Sequence, residues 1–519
     1  MIYNLLKRYL VVLGILVVPM AQAQELQNII SQIEEEAIKN SELENLAHNL
    51  LDVIGPRLTG TPQMEQASDW VMETYKKWGI DAKREQWGEW KGWERGITHI
   101  DMVAPRVQSL EGIQLAWSPT TPPEGVVGEV VALPYVKDSI HFQKWLKGVK
   151  GKFVLTSMYQ LTGRPDDSWE KFARPESFER LKASRDSIKR EWYANIRRTG
   201  YKSADIVRLL ENAGAVGIIS CYWSKGFGVN RIFYSKTKGI PTLDVELEDY
   251  TMLYRLAERG EKPQVRVVAR SKDLGLVPAF NTIGMIKGSE KPEEYVILSA
   301  HLDSWDGATG ATDNGTGTVL MMEVMRILKK VYPNPKRTIL VGHWGSEEQG
   351  LNGSRAFVED HPEIVEYVQV VLNQDNGTGR ITEISGAGFL NSYEYLSRWL
   401  SAVPEDVSKH VKTIFPGLPS SSGSDNASFV AAGVPAFYLG ALNWNYRDYT
   451  WHTNRDTYDK IVFDDLRNNV VLTAVLAYMA SEDPETASRE KIVMPIDPKT
   501  GEQQFWPEQK SPKRLGGVD

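Results

Sequence analysis

A chain of 519 residues is too long for one ordinary core, so two or more folding units are expected. Its 42% hydrophobic and 24% charged residues exclude wholesale disorder and a polytopic membrane protein. A formal charge of −7 argues against nucleic acid as a partner, because phosphates require a cationic face.

Residues 1–23 read as a secretory signal, with Lys7 and Arg8 as the basic start, Leu10 to Met20 as the apolar stretch and Ala21-Gln22-Ala23 as a small-x-small cleavage site. The apolar stretch is about half of the roughly 20 residues a spanning helix needs. The chain is therefore expected to be secreted or periplasmic, with no stable membrane anchor after signal cleavage. Its one cysteine, Cys221, excludes an intramolecular disulfide and a cysteine metal site. Cys221 closes the strand-like run from Gly217 and reads as a buried structural thiol.

Residues 24–123 are expected to form the N-terminal part of a catalytic domain, helical from 25 to about 85. Leu43 to Ile54 and Trp70 to Trp78 carry apolar residues at helical spacing. From 124 to 271, short β-type runs at Gly125 to Val131, Lys152 to Leu155 and Ala215 to Ile219 predict an inserted β-rich unit. Within it, the charged stretch 164–204 reads as a solvated helical excursion. Over 272–483 apolar runs at Tyr295 to Ser299, Thr338 to Val341, Val368 to Leu372 and Pro435 to Leu439 alternate with helices such as Thr316 to Lys330. This alternation predicts an α/β fold with a mostly parallel central sheet flanked by helices. Residues 484–519, with Pro484, Pro495, Pro498, Pro507 and Pro512, read as an extended C-terminal tail.

The charged residues of the second half fall where such a sheet collects ligands, at the carboxyl ends of strands. His301 and Asp303 come after one run, Glu347 and Glu348 after the next, and Asp375 after the third. Asp313 lies in the glycine-rich loop Gly307 to Gly315, before the apolar helix. His452 comes after the aromatic loop Trp444 to Trp451 and precedes Asp456. Catalytic zinc usually keeps three protein ligands and an open position. The side chains His301, Asp313, Glu348, Asp375 and His452 suffice for two such ions if one carboxylate bridges both. Paired ions clamp the attacking and leaving atoms and acidify the water between them. Oxygen and imidazole donors without thiolate fit zinc, and would accept cobalt or manganese. Of the adjacent acids Glu347 and Glu348, one can ligate while the other receives the water's proton. Asp303 is expected to accept a hydrogen bond from the His301 imidazole and fix its tautomer.

His343 is expected to be packed within its strand. His48, His99, His141, His361 and His410 lack acidic partners in a suitable context. One tyrosine of the aromatic loop could polarise a substrate carbonyl, and Arg447 could meet a terminal carboxylate or a surface acid. The sequons at Asn314 and Asn376 fall on the metal loops and read as chance matches.

The motifs His301-Leu302-Asp303-Ser304, Thr312-Asp313-Asn314-Gly315, Gly345-Ser346-Glu347-Glu348-Gln349-Gly350-Leu351-Asn352-Gly353-Ser354 and Gln374-Asp375, with the late His452, together resemble the co-catalytic zinc exopeptidases. That family includes aminopeptidase Y, the bacterial leucyl aminopeptidases and the glutamate carboxypeptidases. The resemblance covers roughly residues 40 to 480. It implies that Asp313 bridges two zinc ions, that Glu348 and His452 complete one site, that His301 and Asp375 complete the other, and that Glu347 is the catalytic base. Gly151 to Leu155, Ala213 to Ile219 and Ile240-Pro241-Thr242-Leu243 look like a protease-associated domain, an arrangement similar to the plasma glutamate carboxypeptidase type. Two departures stand out: Ser424-Asp425-Asn426 replaces the family's frequent Ser-Asp-His, and the segment 164–204 is long for this insert.

The expected activity is zinc-dependent hydrolysis of a terminal peptide bond in short peptides, with aminopeptidase favoured over carboxypeptidase or dipeptidase. A cyclase or deacylase on the same scaffold, and a catalytically silent peptide-binding protein, are the competing readings.

Overall fold

Four strands carry the centre of the molecule, and their sequence explains their place. Arg337–Trp344 and Val368–Asn373 are buried along their whole length, and Lys291–His301 is buried from Val296 onward. Strands covered on both faces read as continuous apolar runs, as parallel strands do. Lys291–His301 pairs parallel with Arg337–Trp344 on one side and with Val368–Asn373 on the other, and Ala436–Ala441 extends the set, also parallel. Ile381–Ser385 adds antiparallel to Ala436–Ala441, and Lys412–Ile414 lies at that edge. The helices Thr316–Val331 and Phe463–Glu482 pack on the sheet and on each other, most of their residues buried. The expected α/β architecture is therefore present.

The computed structural model describes residues 24–517; the proposed signal segment 1–23 lies outside them. Among the described residues, no helix is long and apolar enough to cross a membrane.

The helix Pro62–Lys77 begins where Thr61 Oγ1 accepts the Met64 N–H at 3.2 Å with proline at the first position, and it buries Met64, Ala67, Val71 and Tyr75. It stops before the expected boundary near 85, because Gly79 turns the chain at φ +72° and residues from Asp81 are extended. A strand of 24 residues, Asp81–Ala104, then runs antiparallel to Gln264–Ile286 along almost all of its length. Register shifts at Gln86/Gly88, Gly92/Trp93, Arg95/Thr98 and Met102/Ala104 break its alternation. That broken pattern, together with its many charges, hides the strand in the sequence.

This two-stranded ribbon joins two halves of one sheet. The C-terminal end of Gln264–Ile286 pairs with Arg337–Trp344, while its beginning pairs with Val126–Ala132. Beyond lie Lys152–Leu155, Gly217–Ser220 and Thr242–Val245, all parallel, and Gly112–Gln114 closes the edge antiparallel. Helices Ser139–Leu146, Asp166–Phe172, Pro175–Arg198, Ser203–Asn212 and Leu247–Glu258 give this second half more helix than a β-rich unit would have. Cys221 is buried there beside Asn230, and burial pushes its thiol up.

A separate aromatic cluster of Trp87, Trp90, Trp93, Trp117 and Trp305, with Ile232 and Leu58, fills the junction between the halves. The last described residues dock onto it. Leu515–Gly516 pairs parallel with Glu89 and Trp90, and a Cβ at Gly516 would lie 1.8 Å from the Trp90 ring. Only glycine lets the chain approach so closely. Earlier in the tail, Trp506 packs on Phe389 in the main core and donates to the Val430 carbonyl at 2.9 Å.

Candidate metal centre

The carboxyl ends of the central strands place the first ligands. His301 ends its strand, and Asp375 lies two residues past Val368–Asn373. The loop after Trp344 carries Glu347 and Glu348. Asp313 stands in the short helical turn Ala311–Gly315, entered through Gly310 at φ +58°, where a Cβ would meet Ser304 at 2.3 Å. His452 comes from the aromatic loop and is itself left-handed at φ +54°.

These five side chains converge as two groups sharing Asp313. His301, Asp313 and Asp375 form one; Asp313, Glu348 and His452 form the other, with the ligand atoms of each within 4.8 Å of one another. His301 Nε2 lies 3.4 Å from Asp313 Oδ1 and 3.3 Å from Asp375 Oδ1. His452 Nε2 lies 3.2 Å from Asp313 Oδ2 and 2.9 Å from Glu348 Oε2. The two oxygens of Asp313 thus face opposite groups. Asp313 Oδ2, Glu348 Oε1 and His452 Nδ1 are buried without a hydrogen-bond partner. Uncompensated buried carboxylates are costly, and a cation would compensate them, so the donor set fits two divalent ions.

The electrostatics report the same crowding. Burial pushes the Glu348 carboxyl up to about 7, with Asp313 adding repulsion against the attraction of His452. Burial also drives Glu347 well above the carboxylate range; His301 opposes this, while Asp375, Asp425 and Glu348 reinforce it. Burial alone would depress both imidazoles, yet Asp375 raises His301 well above its ordinary value and Glu348 raises His452 to about 10.

Asp303 acts differently from expectation. The His301 Nδ1 is 2.9 Å from the Asp303 carbonyl oxygen and 3.6 Å from its carboxylate, so the main chain orients the imidazole. The carboxylate instead accepts the N–H groups of Glu347 at 3.0 Å and Glu348 at 3.2 Å, holding the loop that carries both acids.

Two further residues shape the centre. Asp456 accepts from the Thr312 N–H and hydroxyl, both at 2.8 Å, and from the Asp313 N–H at 3.0 Å. Arg57, fully buried, donates to the carbonyls of Gly55, Leu302, Thr309 and Gly310 at 2.7 to 3.0 Å, tying the His301 loop to the glycine-rich loop. Burial lowers its guanidinium to about 10 against the pull of Asp456, Asp303, Asp313 and Glu348. Asp456 has a signal in its spacing from His452; Arg57, one cation in a glycine- and proline-containing turn, has none.

The His452 loop is braced by the second half of the sheet. The Ile232 N–H donates to the His452 carbonyl at 2.7 Å, and Asn230 and Asn454 exchange two bonds at 2.9 Å. Asn454 Nδ2 donates to the Gly228 carbonyl at 3.0 Å, and Arg455 pairs with Glu246 at 2.6 Å. The His452 ring stacks on Trp451 at 4.0 Å and meets Phe233 and Trp305 edge-on at 5.6 and 6.1 Å.

His343 is packed, as expected: its Nε2 meets the Tyr75 hydroxyl at 2.6 Å, and burial pushes the imidazole down to about 3. His48 and His361 do have acidic partners, Asp52 at 2.9 Å and Glu85 at 2.7 Å, but neither joins the two ligand groups. Asn314 and Asn376 are buried and hydrogen-bonded to main-chain carbonyls. Asn426 opens the helix Asn426–Ala431, and beside it Asp425 is buried in the field of His301 and Asp375. Arg447 is exposed near Trp451, and its carbonyl accepts from Arg231.

Residues 281–477 match peptidase family M28, and this span contains all five ligands and Glu347. The chain carries an M28 peptidase domain. The M28 match agrees with the motif resemblance to the co-catalytic exopeptidases, and the chain is a metallopeptidase. It is 26% identical over 441 residues to carboxypeptidase Q of Rattus norvegicus, covering 85% of each chain. To carboxypeptidase Q of Homo sapiens it is 27% identical over 463 residues, covering 87% of each. Among solved structures, a peptidase M28 precursor from Shewanella amazonensis aligns at TM-score 0.64 and 23% identity, covering 89% of this chain and 98% of the other. A zinc aminopeptidase from Bacillus subtilis aligns at 0.55 and 20%, covering 87% and 97%. These structural likenesses show that the fold of those two proteins is shared through most of this chain.

Proposed function

We propose that the protein is an exported exopeptidase that uses two zinc ions to hydrolyse a terminal bond of short peptides. The observation that carries this reading is the division of five ligands into two groups around Asp313, with Glu347 alongside. His301, Asp313 and Asp375 would hold one ion, and Asp313, Glu348 and His452 the other. Bound there, the pair supplies Lewis-acid polarisation of the scissile carbonyl and acidifies the attacking water. Glu347 takes that water's proton and returns it to the leaving amine; its raised affinity for a proton, set first by burial and then by Asp375, suits the task. Asp303 keeps Glu347 in place through the 3.0 Å bond to its N–H. Export rests on the signal-like segment 1–23. Residues 124–271 are read as a protease-associated insert splitting the catalytic domain, consistent with the strands of that span entering and leaving through the long ribbon.

Aminopeptidase action is the favoured direction, because Asp375, Asp425 and Glu347 surround the centre with carboxylates that suit a free amine. Carboxypeptidase or dipeptidase action is the second reading, favoured by the two carboxypeptidase Q relatives that align with most of this chain. Peptides blocked at either terminus, incubated with zinc-loaded protein and analysed by mass spectrometry, separate the two: only an N-terminal block stops an aminopeptidase. The Glu347→Gln variant should keep its metal and lose about 10²–10⁴ in kcat. Normal turnover in that variant would remove Glu347 from the mechanism.

A further inference from the structure

The loop that carries Glu347 and Glu348 is strained on both sides of the pair. Ser346 and Leu351 are left-handed at φ +61° and +58°, a conformation that residues other than glycine seldom adopt. Such a turn persists only where its surroundings fix it. Inside the loop, the Gly350 and Leu351 N–H groups donate to the Glu347 carbonyl at 2.7 and 2.9 Å. Its outer side is closed by the buried Asn352, whose Nδ2 donates to Ser346 Oγ and to the Gln349 carbonyl, both at 3.2 Å.

The other atom of that amide is taken by the far end of the chain: Asn352 Oδ1 accepts the Lys513 N–H at 2.8 Å. The tail is then tied down twice more. Arg514 pairs with Glu359 at 3.0 Å and with Asp360 at 2.6 Å at the other end of the helix Asn352–Asp360, and it donates to the Trp87 carbonyl at 3.0 Å. The Glu89 N–H donates to the Arg514 carbonyl at 2.8 Å where Leu515–Gly516 joins the ribbon. Arg514 and its two acids are 37%, 40% and 41% exposed, so these contacts are individually weak. Trp506 is anchored separately in the main core, and the residues after it can therefore leave without opening that core.

We propose that the segment Lys513 to Gly516 is a latch for the glutamate loop, with Asn352 as the positioning residue that connects the two. Docked, it holds Ser346 and Gln349 through Asn352 and so keeps Glu347 and Glu348 aimed at the metal centre. Undocked, the strained turn relaxes, Glu347 loses its place, and the ion held by Glu348 and His452 is weakened while the ion held by His301 and Asp375 is not. The segment docks as an added edge strand, so the same sequence supplied as a separate peptide can take its place. The inference rests on the two-zinc peptidase reading above and adds to it the element that controls the loop.

The test compares the full chain, the chain ending at Pro507, Gly516→Val, Asn352→Ala, and Asn352→Ala combined with the truncation. Amide hydrogen exchange of the metal-free proteins is measured together with zinc titration and kinetics on a short peptide. Truncation should speed exchange at Gly350 and Leu351 while Val368–Asn373 stays protected. It should weaken one ion by about 10–100-fold, leave the other within about threefold, and lower kcat about 10–100-fold with KM within about threefold. Gly516→Val, whose side chain would enter the Trp90 ring, should act in the same direction and decides the matter if the truncated chain fails to fold. A peptide of residues 508–519 added in excess should restore both kcat and protection. Asn352→Ala should reproduce the loss, and truncating that variant should add less than about twofold. Unchanged exchange and zinc affinity, equal weakening of both ions, or losses from truncation and Asn352→Ala that multiply would overturn the latch while leaving the peptidase reading intact. A wild type that binds two zinc ions and cleaves no peptide would contradict the peptidase reading, with exchange and zinc affinity still deciding the latch.

Discussion

The two halves of the metal centre are built in different ways. His301 and Asp375 stand at or just past the ends of adjacent parallel strands that are buried from Val296 and from Val368 onward. Their positions are fixed by the same packing that forms the core. Glu348 and His452 stand on loops: one is held by the Asp303 carboxylate, the other by Ile232, Asn230 and Glu246 from the far half of the sheet. One half-site is thus a by-product of the fold, and the other depends on contacts between regions more than 200 residues apart in sequence. Such contacts can be weakened without unfolding the core.

The largest effect should come from the residue common to both halves. Asp313→Ala removes a ligand from each group, so both ions should be lost by elemental analysis and activity should fall by at least about 10³. Retention of two ions would show that the halves do not share Asp313. A smaller and one-sided effect is expected at the brace. Asn454→Ala removes the side-chain bonds to Asn230 and Gly228, and should weaken the ion held by Glu348 and His452 by about 10–100-fold, leaving the other unchanged in a metal titration. Equal weakening of both ions would erase the proposed difference.

The smallest effect lies away from the centre, at Glu85 and His361, which are 20% exposed or less. The His361 hydrogen bond holds Glu85 down to about 2 against burial, and the same bond raises His361. Glu85 therefore contributes stability above its unfolded value of 4.5 that is lost as pH falls toward 2, and His361 contributes below its unfolded value of 6.5 and loses it as pH rises through its raised value. The pair should be worth about 1 kcal/mol between those unfolded values. Urea unfolding of Glu85→Gln should show that loss near pH 5.5 and less of it near pH 9, with metal binding unaffected.

The same contrast decides what the sequence discloses. Strands such as Arg337–Trp344 are buried on both faces, so their apolar runs are visible, and ligands within a few residues of them are visible too. The strand Asp81–Ala104 is charged, half-exposed and interrupted by register shifts, and its first residues read as a continuation of the helix before it. His452 can be found through its aromatic neighbours, but nothing local marks Asn230 or Glu246 as its supports, because that relation exists only once the ribbon has folded the second half over it. Arg57 escapes for the same reason: its carbonyl acceptors lie mostly about 250 residues away. Asp303 shows a subtler limit. Its proximity to His301 is legible, but which of its oxygens faces the imidazole depends on the turn between them.

The shared-ligand account is tested most directly by titrating zinc into metal-free His301→Ala and His452→Ala, with stoichiometry read by calorimetry and elemental analysis. Two three-ligand groups around Asp313 predict two ions per chain in the wild type and one tight ion in each variant, held by the intact group. A single ion in the wild type, or the loss of both from either histidine variant, would contradict it.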